Sequence, residues 1–94
     1  MRVAWTPLAI EDLNSAYEYI AAENPSAAAA IIERIRSAVN ALRAHPELGR
    51  KGRVEGTREL VISGTPFVIP YRVRKNRVEV LAVIHAARRW PESF

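Results

Sequence analysis

Phe67-Val-Ile-Pro-Tyr-Arg-Val-Arg74, then Lys75-Asn76, then Arg77-Val-Glu-Val-Leu-Ala-Val-Ile-His-Ala-Ala-Arg-Arg-Trp90 is the stretch from which the rest of the chain is read. Two runs rich in β-branched residues flank a two-residue step, which is the pattern of a β-hairpin. In the second run Val78, Val80, Ala82 and Ile84 fall on one face, and Leu81 and Val83 fall on the other. Apolar residues on both faces indicate a strand in the middle of its sheet. Pro70 has no N–H to give to a ladder, so an edge or a bulge is expected there. The second run leaves the sheet on His85, Arg88, Arg89 and Trp90. A small domain seldom ends a core strand on so many polar and cationic groups without using them, so function is sought at that end.

Upstream of the hairpin, Arg58–Ile62 reads as a further strand, joined to it by a turn at Ser63-Gly64-Thr65-Pro66. At the N-terminus, Arg2-Val-Ala-Trp5 reads as a short strand. Thr6-Pro7 then supplies a hydroxyl N-cap and a proline at the first helical position, and Glu11 and Asp12 lie near that positive helix end. Ile10, Leu13, Tyr17 and Ile20 recur at helical spacing as an apolar face. Asn24-Pro25 repeats the start signal for a second, alanine-rich helix. Its expected buried stripe is Ala28, Ile32, Ile35, Val39 and Leu42, with Glu33, Arg36, Asn40 and Arg43 on the wet side. It is expected to stop at His45, because Pro46 follows. Residues 7–44 thus form an αα-hairpin. Leu48 to Gly56, with three glycines and the cations Arg50, Lys51 and Arg53, reads as an exposed loop. The order β-α-α-β-β-β describes one α+β domain over residues 1–94: a short strand, two helices, then a three-stranded antiparallel meander, with the helices packed on one face of an antiparallel sheet.

Ninety-four residues suffice for one core of modest stability. Hydrophobic residues make up 49% and charged residues 26%, the balance of a folded soluble domain. There is no cysteine, so disulfides and thiolate metal sites are excluded and a reducing cytoplasm fits. No apolar run is long enough to span a membrane, and the N-terminus lacks a signal-peptide pattern. The net charge of +4 is unevenly distributed. Residues 1–49 carry four Lys/Arg against six Asp/Glu, or −2; residues 50–94 carry ten against four, or +6. The basic half suits an anionic partner, whether nucleic acid or an acidic protein.

Metal-site spacings, a phosphate-binding glycine loop and a nucleophile elbow are all missing, and no cofactor is implied. What remains is a cationic group. Arg72 and Arg74 alternate with Tyr71 and Val73 and so leave one face of their strand, with Glu59 and Val61 expected on the neighbouring strand. His85, Arg88 and Arg89 come off the end of the last strand. A histidine beside arginines can move a proton while guanidiniums hold phosphate oxygens, and RNA supplies its own 2′-hydroxyl nucleophile. His85, Arg88 and Arg72 are the candidate catalytic residues on that reading; alternatively, His85 caps the sheet. Arg50, Lys51, Arg53, Arg74, Arg89 and Trp90 are the candidate contacts to a target or nucleic acid. Trp5 and Trp90 suit either stacking on bases or packing of the chain ends.

Taken in order, Trp5-Thr-Pro, Asp12-Leu, Tyr19-Ile, Asn24-Pro, His45-Pro with Gly49-Arg, Gly56-Thr-Arg-Glu-Leu60, Ile69-Pro-Tyr-Arg-Val73 and Val83-Ile-His-Ala-Ala-Arg-Arg-Trp90 resemble the RelE/ParE superfamily of bacterial type II toxins over essentially the whole chain. The resemblance implies the compact α+β fold, a cognate acidic antitoxin and growth arrest by free toxin. It allows two activities: mRNA cleavage in the ribosomal A site, as in RelE-like members, or poisoning of DNA gyrase, as in ParE-like members. RelE-like nucleases place an arginine where Val68 stands, lysines roughly where Glu59 and Val61 stand, and often a tyrosine where Phe94 stands. Arg88 matches their pattern, whereas His85 matches the strand ending of many ParE-like members. The resemblance therefore favours gyrase. A metal-independent, ribosome-dependent endoribonuclease is the alternative, and a non-toxic remnant that only binds antitoxin or nucleic acid is a third.

Overall fold

Both helices begin where the sequence sets a polar cap before a proline. A computed structural model describes residues 1–94. Helix α1, Pro7–Ala21, is capped by Thr6, whose hydroxyl oxygen accepts from the Ala9 N–H at 3.2 Å. Helix α2, Pro25–Ala41, is capped by Asn24, which accepts from the Ala27 N–H at 3.1 Å. In each case the cap satisfies an N–H that the first helical turn cannot. The two helices pack on each other and cover one face of a sheet.

The strands are β1 (Arg2–Trp5), β2 (Arg50–Lys51), β3 (Arg58–Val61), β4 (Phe67–Arg74), β5 (Arg77–Val80) and β6 (Ile84–His85). Their spatial order is β1-β5-β4-β3-β2, with β6 also paired to β4. The β3-β4-β5 meander is antiparallel as expected. The sheet as a whole is mixed, because β1 runs parallel to β5. The αα-hairpin carries the chain from β1 at one edge of the sheet to β2 at the other, and the strands that follow step back until β5 lies parallel beside β1. The turn at Lys75-Asn76 has φ of 52° and 61°, the left-handed pair that a two-residue hairpin loop requires.

The expected strand from Arg77 to Ala86 is broken in two. Tyr71 stands opposite Val80, but Val68 stands opposite Ile84. Ile69 and Pro70 therefore face three residues, Leu81, Ala82 and Val83, across a bulge. Pro70 accepts from the Leu81 N–H at 2.9 Å and has no N–H to return, so the ladder slips by one residue where the donor is missing. The slip also exchanges faces. Val78, Val80 and Val83 pack into the helix-covered core, while Ala82 and Ile84 turn to the opposite face, contrary to simple alternation.

The core joins Ala9 of α1 and Ile35 and Val39 of α2 to Ile62, Phe67, Ile69, Val80 and Val83 of the sheet region, with Trp5 packed against it. The α1 face differs from the expected one. Leu13, Ala16 and Ile20 support the core, whereas Ile10 and Tyr17 are 49% and 43% exposed. In α2, Ile31 packs on the core and Ile32 is half-buried. The helix ends at Ala41, and its last turn unwinds through Ala44 before Pro46. The segment read as an exposed loop instead supplies β2 and a buried Gly49. The Tyr71 hydroxyl explains the burial: it donates to Pro46 O at 2.7 Å and accepts from the Gly49 N–H at 2.8 Å. A Cβ at Gly49 would lie 2.5 Å from Tyr71 Cε1, so only glycine fits.

Candidate functional site

The sheet face turned away from the helices and the cleft beside α1 divide the candidate residues between them. Odd-numbered residues of β4 point to the helices, and Val68, Pro70, Arg72 and Arg74 point away. Register then places Glu59 and Val61 of β3, Arg50 of β2, Arg77 and Glu79 of β5, and Arg2 and Ala4 of β1 on that same face. It is buried at Val68, Pro70 and Glu59 and open at the hairpin end, where Arg2, Arg74 and Arg77 are exposed.

At the hairpin end, three arginines converge on one carboxylate. Arg72 Nε lies 2.8 Å and Arg74 Nε 3.1 Å from Glu79 Oε1, and Arg77 Nη2 lies 3.1 Å from Oε2. The Glu79 side chain is only 9% exposed. The hydrogen bond from Arg72 holds its carboxyl below the usual range, with Arg77 and the charges of Arg74 and Arg72 adding to the effect against the opposing pull of burial. At the other end, Glu59 is 2% exposed and opposite Pro70. It accepts from Arg50 Nη2 at 3.0 Å and from the Arg53 N–H at 2.7 Å, while Arg53 Nε stands 3.8 Å away. Arg53 also lies over the Trp90 ring at 4.1 Å, a cation–π contact that ties the C-terminal segment to this end of the sheet. Trp90 Nε1 is buried without a hydrogen-bond partner.

His85 lies on the helix-covered side, opposite Phe67, with the two rings edge to face at 5.7 Å. Its Nδ1 accepts from the Ala87 N–H at 3.1 Å, so in the neutral ring the proton sits on Nε2. It lines a cleft of about 360 Å³ with Asp12, Ser15, Tyr19, Phe67 and Arg88. Arg88 therefore stays with His85, but Arg72 does not: it is held by Glu79 on the other side of the sheet. The three residues of the nuclease reading are thus not gathered at one site. Arg50, Arg53 and Trp90 come together around Glu59, and Arg74 joins Arg72. Lys51, Arg88 and Arg89 form no ion pair and are exposed.

Three residues do structural work that was not read from the sequence. Asp12 Oδ2 accepts from the Val83 N–H at 3.0 Å, satisfying a donor that the bulge frees from the ladder. Tyr71 clamps the Pro46–Gly49 segment, and its burial raises the phenol pKa despite the Gly49 hydrogen bond and the Arg58 charge. Glu79 organises the arginines, and this one had a signal: a two-residue turn at Lys75-Asn76 forces Arg72 opposite Glu79.

Comparison with known proteins agrees with this architecture. Residues 3–90 match the family model of the ParE toxin of the type II toxin–antitoxin system parDE. The chain is 44% identical over 91 residues to Y4kP of Sinorhizobium fredii, covering 97% of this chain and 94% of that protein. It is 37% identical over 87 residues to toxin RelE2 of Caulobacter vibrioides, covering 93% and 97%. Among solved structures, a chain of the chromosomal ParDE system from P. aeruginosa superposes with a TM-score of 0.83 at 28% identity, covering 90% of this chain and 95% of that one. The YoeB dimer from Staphylococcus aureus gives 0.57 at 16% identity, covering 87% and 92%, a likeness of fold alone.

Proposed function

The chain belongs to the ParE toxin family of type II toxin–antitoxin systems, and from that premise we propose that its target is DNA gyrase, which it inhibits by binding rather than by cutting RNA. The observation that carries this reading is the separation of the would-be nuclease residues. His85 and Arg88 face the α1 cleft, and Arg72 is committed to Glu79 on the opposite face. Where the ribonuclease pattern asks for cations, Val68 is buried and Glu59 is already satisfied by Arg50 and Arg53. An apolar side chain and a carboxylate do nothing for a pentacoordinate phosphate. The half-exposed Arg50 and Arg53, together with Lys51, Arg89 and Trp90, are the proposed contacts to the target.

Induction of the isolated gene tests the reading in cells. Chromosome breaks and a DNA-damage response are expected before protein synthesis falls. Codon-phased mRNA cuts by primer extension, with an intact chromosome, would replace gyrase by the ribosome. The second reading has one observation in its favour: His85 and Arg88 do share a cleft. Growth unaffected by induction would leave only the non-toxic remnant.

A toxin of such a module has a cognate antitoxin. We propose that its antitoxin is acidic and seats a helix against α1. Leu8, Ile10, Tyr17 and Tyr19 expose large apolar side chains there. A groove of about 530 Å³ runs beside Trp5, Ile10 and Leu13 and is bordered by Arg36 and Arg43. An amphipathic helix with acidic flanks complements that surface.

A further inference from the structure

The open face at the hairpin end is a charged surface organised around one buried anion, and its occupant can be argued from its make-up. We propose that Arg72, Arg74 and Arg77 bind the phosphate backbone of duplex DNA. Arg72 and Arg74 spend their Nε atoms on Glu79, and their terminal Nη groups make no hydrogen bond within the chain. One carboxylate therefore fixes these guanidiniums while leaving their forks free for anionic oxygens. Arg74 and Arg77 are 56% and 47% exposed. Arg2 stands beside Arg77 on β1, and Lys75 sits at the turn. Three arginines thus hold one carboxylate, with two further cations at the same end of the sheet.

Two features select the ligand. A protein-docking surface has an apolar centre, whereas nucleic-acid surfaces are polar and strongly positive. Here the outward residues are Arg2, Ala4, Arg72, Arg74, Arg77 and Glu79, with a single alanine as the apolar component. Single-stranded nucleic acid is held by stacking on aromatic rings. This end of the face has none: Tyr17 and Tyr19 are on α1, and Trp90 lies under Arg53 at the far end. Fixed guanidiniums on a sheet face, without a stacking platform, suit the backbone of a duplex, bound without regard to sequence.

Fluorescence anisotropy with a labelled random-sequence duplex tests this without gyrase. The parent protein should bind with an affinity that falls as salt rises. Arg74→Ala/Arg77→Ala should weaken binding about tenfold or more at about 0.1 M salt and lower the salt slope by about two. Arg36→Ala/Arg43→Ala removes the same charge from the helical side and should change neither. Equal losses in both variants would mean that net charge alone is read, and the proposal would fall. It would also fall if single-stranded RNA of equal length, or poly-glutamate, bound the parent more tightly than the duplex did. Should the first variant unfold, Arg74→Gln alone should still lower the slope by about one, and an unchanged slope would refute the proposal. A parent that binds duplex but leaves gyrase active removes the gyrase reading and keeps this one; a parent that inhibits gyrase but ignores free duplex does the reverse.

Discussion

At the scale of single residues, two side chains hold more of this molecule together than their positions in the sequence suggest. Tyr71 is fully buried and its hydroxyl serves both a donor and an acceptor of the Pro46–Gly49 segment. Tyr71→Phe leaves the Gly49 N–H and the Pro46 carbonyl without that partner and should cost about 2 kcal/mol in urea unfolding. The same hydroxyl predicts an alkaline limit. Its folded pKa is raised, so its contribution is intact below the unfolded value near 10 and is lost as pH climbs through the folded one. Glu79 acts at the other end of the scale. Its folded pKa is lowered, so its contribution is present above the unfolded value of 4.5 and is lost as pH falls through the folded one. In urea titrations Glu79→Gln should flatten the loss of stability on the acid side; an unchanged acid profile would show that the three arginines gain nothing from the carboxylate. The alternation that put Arg72 and Arg74 on one face was legible in the sequence, as was the turn. The partners of Arg50 and Arg53 were not, because Glu59 meets them only after β2 folds back on β3.

At the scale of elements, the helix starts were legible because capping is local: Thr6-Pro7 and Asn24-Pro25 each carry cap and proline side by side. The hairpin was legible for the same reason. Its continuation was not, since one missing N–H at Pro70 shifts the register and sends Val83, rather than Ala82 and Ile84, to the core. The parallel β1–β5 pair depends on contacts across most of the chain, and no local pattern encodes it. The bulge has its own support in Asp12. Asp12→Ala strips the Val83 N–H of its acceptor and should destabilise the fold by about 1–3 kcal/mol, read as a lower urea midpoint. The hairpin turn is open to improvement: Asn76 holds φ at 61°, so Asn76→Gly should be neutral to stabilising, by less than about 1 kcal/mol, in thermal unfolding.

For the molecule as a whole, the +6 C-terminal half is not one undivided cationic surface. Glu79 and Glu59 each anchor a separate group of arginines on the face turned away from the helices, while His85 and Arg88 occupy the cleft on the other side. Four large apolar side chains left outside the core, Leu8, Ile10, Tyr17 and Tyr19, are displayed on α1, on the other side of the molecule from the Glu79 group. On the proposed reading, that division leaves the antitoxin and the target on different surfaces. Ile10→Asp should therefore weaken co-purification with the antitoxin by about 2 kcal/mol or more while leaving toxicity in its absence intact. The most direct measurement is a supercoiling assay with purified toxin and purified gyrase. Inhibition or trapped cleaved DNA at micromolar toxin, relieved by the antitoxin, is the predicted result; full supercoiling at that concentration would contradict gyrase as the target.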